Sequence, residues 1–304
     1  GVDTFNIGSI GSLTGAITGG TGSDEITQED ATNTWDITAL DAGDVTDIGS
    51  FSSIENLTGG SGADTFNISG GDLTGNLSGA AGADNFVFSD TRTIGGSVDG
   101  GADTDTLDLA LYTTNVDFTI SGAGSVDGLA GSTSADTVVP DPNPISGTFD
   151  NIDSVISDGE GAGTLTGADT DNTWNIDGAD SGTLNGAAFS GMTNLTGGTK
   201  VDTFNIETSG LLSGVIAGGT GNDLITQADG DNTWDITGDD VGDVTDIGSF
   251  SGIENLTGGS GVDTFNIESG ASLSGAIDGG AGTVDDEITQ EDATNTWNIT
   301  AANA

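Results

Sequence analysis

Short runs of alternating apolar and polar residues, punctuated by glycine, make up most of this chain. In Thr4-Phe5-Asn6-Ile7 and Thr34-Trp35-Asp36-Ile37 the aromatic and the isoleucine fall on one side, and Thr, Asn or Asp on the other. That is the period of a half-buried β-strand, because successive side chains of an extended backbone point to opposite faces. No apolar stripe of helical spacing reaches ten residues, and β-branched residues and Gly dominate, so no helix is predicted.

The runs are also words that recur. DTFNI starts at Asp3, Asp64, Asp202 and Asp263, and N-T-W-[DN]-I starts at Asn33, Asn172, Asn232 and Asn295. The phrase spanning 51–68 returns almost unchanged at 250–267 and more loosely at 189–206. Repetition at a fixed period is the mark of a solenoid, in which each turn stacks on the next. Asp residues opening an apolar cluster fall at 3, 24, 44, 64, 84 and 105, and again at 202, 223, 243, 263 and 286. The expected fold is therefore all-β, a parallel β-solenoid (β-helix) of about 20 residues per rung. A rival register of about 30 follows from Phe5, Trp35 and Phe66, and from Trp174, Phe204, Trp234 and Phe265. The organisation reads as solenoid repeats over 1–90, irregular rungs over 91–167, and repeats again over 168–304. The irregular part carries a proline-rich side loop near 139–147, where Pro140, Pro142 and Pro144 cannot donate to a strand ladder.

Composition narrows the chemistry. The 304 residues hold 49 Asp plus Glu against 2 Lys plus Arg, a formal charge of −47, with no His and no Cys. Such a surface repels nucleic acid and anionic membrane faces. No apolar run is long enough to insert in a membrane as a helix. Lack of Cys excludes a disulfide framework and a thiolate metal site, and accords with an exported protein. Without His or Cys the common bases and nucleophiles are missing, so no enzyme is expected. A polysaccharide-active β-helix using two carboxylates stays as the remote alternative.

One motif could carry chemistry. G-G-x-G-x-D-x-U-x, with U a large apolar residue, occurs at Gly19–Thr27, Gly59–Asn67, Gly218–Thr226 and Gly258–Asn266. It resembles the calcium-binding β-roll repeat of RTX proteins, and that resemblance implies Ca2+ on Asp24, Asp64, Asp223 and Asp263, and on Asp84 of the eroded copy Gly79–Val87 (GAAGADNFV). In that family the nonapeptides run in tandem, whereas here single copies lie about 20 or 40 residues apart, so a shared site does not carry over directly. The competing reading is turn chemistry alone, with Asp accepting backbone N–H and Gly supplying positive φ. Stacking at a 20-residue rung would bring Asp64 beside Asp44 or Asp84.

The repeat style as a whole resembles the repeat regions of giant bacterial surface and fibre proteins, adhesin-like in character. That resemblance implies an extracellular or cell-surface setting. The function expected is a structural segment of a filament or surface stalk, continued covalently or joined end to end with itself, since 261–304 closely repeats 1–44. Both ends read as cuts through a longer repeating chain. The alternative is an adhesive module whose outward Thr4, Thr65, Thr203 and Thr264 face a glycan, ice or mineral surface.

Overall fold

A computed structural model describes residues 1–8, 11–29, 31–135, 142–157, 163–228, 230–281 and 286–291. The Pro140 end of the side loop, the insertion at Thr283-Val284 and the Trp297 word lie outside them. Among the described residues there are 31 strands and no helix. They form a 16-stranded and a 15-stranded sheet, both mostly parallel, and the chain crosses from one to the other along most of its length. The fold is a β-solenoid, as the strand words predict.

Both rung lengths read from the sequence occur. A simple rung has one strand in each sheet and repeats after 20 or 21 residues: Asn85 lies beside Thr65, and Thr106 beside Asn85. The longer spacing marks rungs that carry two extra strands. Thr34–Ala39, Ala42–Val45 and Ile48–Ser52 form an antiparallel S within the 15-stranded sheet, and the flanking parallel pairs then run Glu25 to Asn56 and Thr34 to Thr65. Short turns force this reversal, with Asp41 and Asp47 at φ 50° and 66°, a region Asp tolerates better than most residues.

Among the described residues, four such meanders occur, within 34–52, 116–152, 172–190 and 233–251. The first and third lie in the 15-stranded sheet, the second and fourth in the 16-stranded one. Alternation is what keeps the sheets level. Each meander puts one sheet two strands ahead, roughly 9.6 Å at ordinary strand spacing, and the next restores the balance. Two successive meanders on one side would leave an apolar face without a partner.

The core is a single cluster running through both sheets. Equivalent aromatics stack in register: Trp35 on Phe66 at 5.5 Å, Phe66 on Phe86 at 5.1 Å, Trp174 on Phe204 and Trp234 on Phe265 each at 5.5 Å. In every meander the middle strand turns a glycine inward, and the aromatics of the outer strands meet edge-on near it. Trp35 and Phe51 do so beside Gly43 at 6.4 Å, and Phe118 and Phe149 beside Gly131 at 6.3 Å.

The irregular region continues the stack. Val116–Ala123 and Phe149–Ile152 are strands and belong to the second meander. From Pro142 onward the proline segment rejoins the rungs. Pro144 accepts a hydrogen bond from the Ile94 N–H at 2.8 Å, Pro142 accepts one from the Tyr112 hydroxyl at 2.6 Å, and Ile145 is fully buried.

Candidate functional site: a buried aspartate ladder

The aspartate of each G-G-x-G-x-D turn sits just ahead of a strand, in the turn that enters the sheet. Its side chain points inward. Asp24, Asp64, Asp84, Asp223 and Asp263, the five residues singled out by the motif, are 0–1% exposed, and so are Asp105 and Asp202. These seven are as dry as the core isoleucines.

One carboxylate oxygen of each is used in the same way. Its Oδ1 accepts the main-chain N–H of the ladder residue in the neighbouring rung. Asn33 donates to Asp64 at 2.6 Å, Asp64 to Asp84 at 2.7 Å, Asp84 to Asp105 at 2.8 Å, and Asp105 to Asp153 Oδ2 at 3.0 Å. A second ladder runs Asn172, Asp202, Asp223, Glu254, a third Asn232, Asp263, Asp286, and a fourth Asp3, Asp24, Glu55. Where the sequence pattern paired Asp64 with either Asp44 or Asp84, the structure chooses Asp84. Asp44 lies in a meander strand opposite Asp36 and belongs to no ladder; Asp243, opposite Asp235, is its counterpart.

The other oxygen is left over. Among the described residues, Oδ2 of Asp24, Asp64, Asp84, Asp105, Asp202, Asp223 and Asp263 is buried without a hydrogen-bond partner. The first glycine of the motif explains its position: a Cβ on Gly59, Gly79, Gly197 or Gly258 would collide with the Oδ2 of Asp64, Asp84, Asp202 or Asp263. Gly60 follows at φ 112°, and a Cβ on Gly62 would strike the Ala31 backbone one rung away. The three glycines thus serve the carboxylate, the turn and the stacking in that order. In the eroded copy at 79–87 Ala80 holds the positive φ, at 77°.

Burial is the main cause of a raised pKa at six of the ladder aspartates. It pushes Asp84 and Asp105 up to about 7 against the ordinary 3.8, partly countered by the N–H bond each accepts and assisted by neighbouring carboxylates. Asp223 goes up to about 6 for the same reasons, and Asp64, Asp202 and Asp263 are also raised by burial.

Calcium takes six to eight oxygens converging at about 2.3–2.6 Å. Each carboxylate has one oxygen committed to a backbone N–H, and among the described residues no group of three or more acidic side chains is placed to hold a metal.

Sequence reasoning left out Asp105 and Asp202, although both fall on the aspartate beat. It also missed Asn33, Asn172 and Asn232, which occupy the ladder position in the N-T-W words. Their register partners Asp64, Asp202 and Asp263 could have exposed them, once the longer rung was recognised.

A concavity of about 560 Å³ lies where the second meander approaches the third, between Ile120, Leu129, Asp153, Ala168 and Asn185. It offers one carboxylate and no basic group. No protein-family model matches the chain, and no curated protein shows significant similarity to it.

Proposed function

We propose that this chain is a structural segment of an extracellular filament or surface stalk, with itself as its partner and no catalytic role. The observation that carries the reading is the repetition of one clasp along the rod. The same turn, the same buried acid and the same aromatic stack recur from rung to rung, and outward side chains are bonded to one another. Asn67 donates to Asp36 at 2.7 Å, Asn205 to Asn175 at 2.9 Å, and Asn266 to Asp235 at 2.8 Å. A surface whose polar groups pair internally suits a shaft, and catalysis needs one singular constellation.

The edge of the 16-stranded sheet supports the self-partner. There Phe5 is only half-buried, while its repeat counterpart Phe265 is fully buried beneath Trp234. A rung bearing Trp, from the same polypeptide or a second copy, would cover Phe5 as Trp234 covers Phe265. Electron microscopy and sedimentation of the chain across concentration provide the test. Rods lengthening by whole multiples, and shortened by Phe5→Asp, are expected; compact single rods at every concentration would overturn the end-to-end joint.

A further inference from the structure

Asparagine and aspartate share one position in these ladders, and comparing them shows what the leftover oxygen lacks. Asn172 donates its Nδ2–H to the Gly197 carbonyl at 3.0 Å, and Asn232 to the Gly258 carbonyl at 2.9 Å. Asn33 points the same group at the Gly59 carbonyl, at 3.4 Å. Each of these carbonyls belongs to the first glycine of the next rung's turn. Where the ladder residue is Asp, the oxygen Oδ2 takes the place of that nitrogen. Asp64 Oδ2 and the Gly79 carbonyl crowd one face of the Gly59 Cα, and Asp84 Oδ2 and the Gly100 carbonyl crowd Gly79. Asp202 Oδ2 and the Gly218 carbonyl crowd Gly197 in the same way. Two acceptor oxygens therefore face each other where the asparagine ladder has a donor and an acceptor.

We infer that Asp64, Asp84, Asp105, Asp202 and Asp223 are held as neutral carboxylic acids, each Oδ2–H donating to the next rung's carbonyl, so that protons rather than metal ions tie these rungs together. The proton comes from water and returns to it when the group ionises, leaving a buried carboxylate against a carbonyl.

The surroundings agree. Asp84 faces Asp64, Asp105 and Asp103; Asp105 faces Asp153, Asp127 and Asp103. Asp202 faces Asp171, Asp223 faces Asp202 and Glu254, and Asp263 faces Asp286 and Asp231. Neither Arg92 nor Lys200 is among the charges acting on these groups. Burial and like charge act in one direction, toward the protonated form. The inference concerns the inside of the shaft and is independent of how shafts join: a strictly monomeric rod would still show it.

Two measurements test it. In the infrared spectrum of the whole chain, a carboxylic-acid C=O band should persist above about pH 5, where exposed acids are ionised, and fade near neutrality. It should shrink in the triple variant Asp64→Asn, Asp84→Asn, Asp105→Asn. Loss of the band by about pH 5 in the unaltered chain would overturn the proposal, and this arm needs no variant to fold. In thermal melts with chelator at about pH 8, the triple variant should melt at or above the parent, since the amide supplies the missing donor permanently. A variant that melts well below the parent, together with a parent whose Tm rises on adding millimolar calcium, would assign the oxygens to metal bridging instead.

Discussion

Asp64 and Asp84, on adjacent rungs, are joined by a 2.7 Å hydrogen bond from the main-chain N–H of the first to Oδ1 of the second, with both side chains almost completely buried. Because the acceptor is a side chain and the donor is backbone, the bond fixes which residue of one rung lies over which of the next. A slip of one residue would turn Phe66 and Ile68 outward and tear the carboxylate from its donor. Register is thus set twice, by the aromatic stack and by the ladder.

The pH dependence of stability follows with a definite sign. The folded values of Asp84 and Asp105, about 7, lie above the ordinary 3.8, so the folded state holds these protons more tightly than the unfolded one. Their contribution is complete below 3.8 and is lost as pH rises through about 7; that of Asp223 is lost by about 6. Melts in roughly 1 M salt, which screens repulsion among surface acids, should show Tm falling across this window and levelling above it.

Asn172→Asp reverses the natural exchange. Nδ2 of Asn172 donates to the carbonyls of Ala168, Thr170 and Gly197 and to Oδ1 of Asp202, and the substitution replaces that donor with an acceptor. A cost of about 2–4 kcal/mol is expected near neutral pH, partly recovered in acid as the new carboxyl is protonated. Urea unfolding at both pH values measures it.

Trp234 tests packing against polarity. Its ring is fully buried on Phe265, yet among the described residues the indole N–H of Trp234 has no acceptor, as is also true of Trp35 and Trp174. Trp234→Phe keeps an aromatic in the stack and removes an unsatisfied donor, so it should cost only about 1 kcal/mol. Trp234→Ala should cost about 3–5 kcal/mol. Chemical denaturation of both variants separates the two contributions.

Gly43→Ala should be severe. A Cβ there meets the Asp36 carbonyl oxygen and lies 3.0 Å from the Phe51 ring, so the meander must open; a loss above about 2 kcal/mol is expected. Gly15→Ala, whose nearest neighbour would be a Leu13 methyl at 3.9 Å, should lie within about 0.5 kcal/mol of the parent. Parallel thermal melts of the pair check the contrast.

The alternation in Thr65-Phe66-Asn67-Ile68 and the recurrence of its word were enough to predict strands, their inward faces and their stacking, because side-chain period and rung repetition are local properties. The spacing from Trp35 to Phe66 was legible too, but its meaning was not. A 31-residue step could be a three-sided rung or a two-sided rung with an inserted meander, and only the pairing of Trp35 with Val45 and of Gly43 with Phe51 distinguishes them. For the same reason the sequence places Asp44 on the aspartate beat, although antiparallel pairing carries it to an outward position. The motif around Asp64 was visible as a pattern of Gly and Asp. Whether its carboxylate faces an ion, water or another rung depends on what stacks above and below, and that is decided by contacts between residues 20 to 31 positions apart. Local patterning determines the strand; long-range register determines what its buried polar atoms meet.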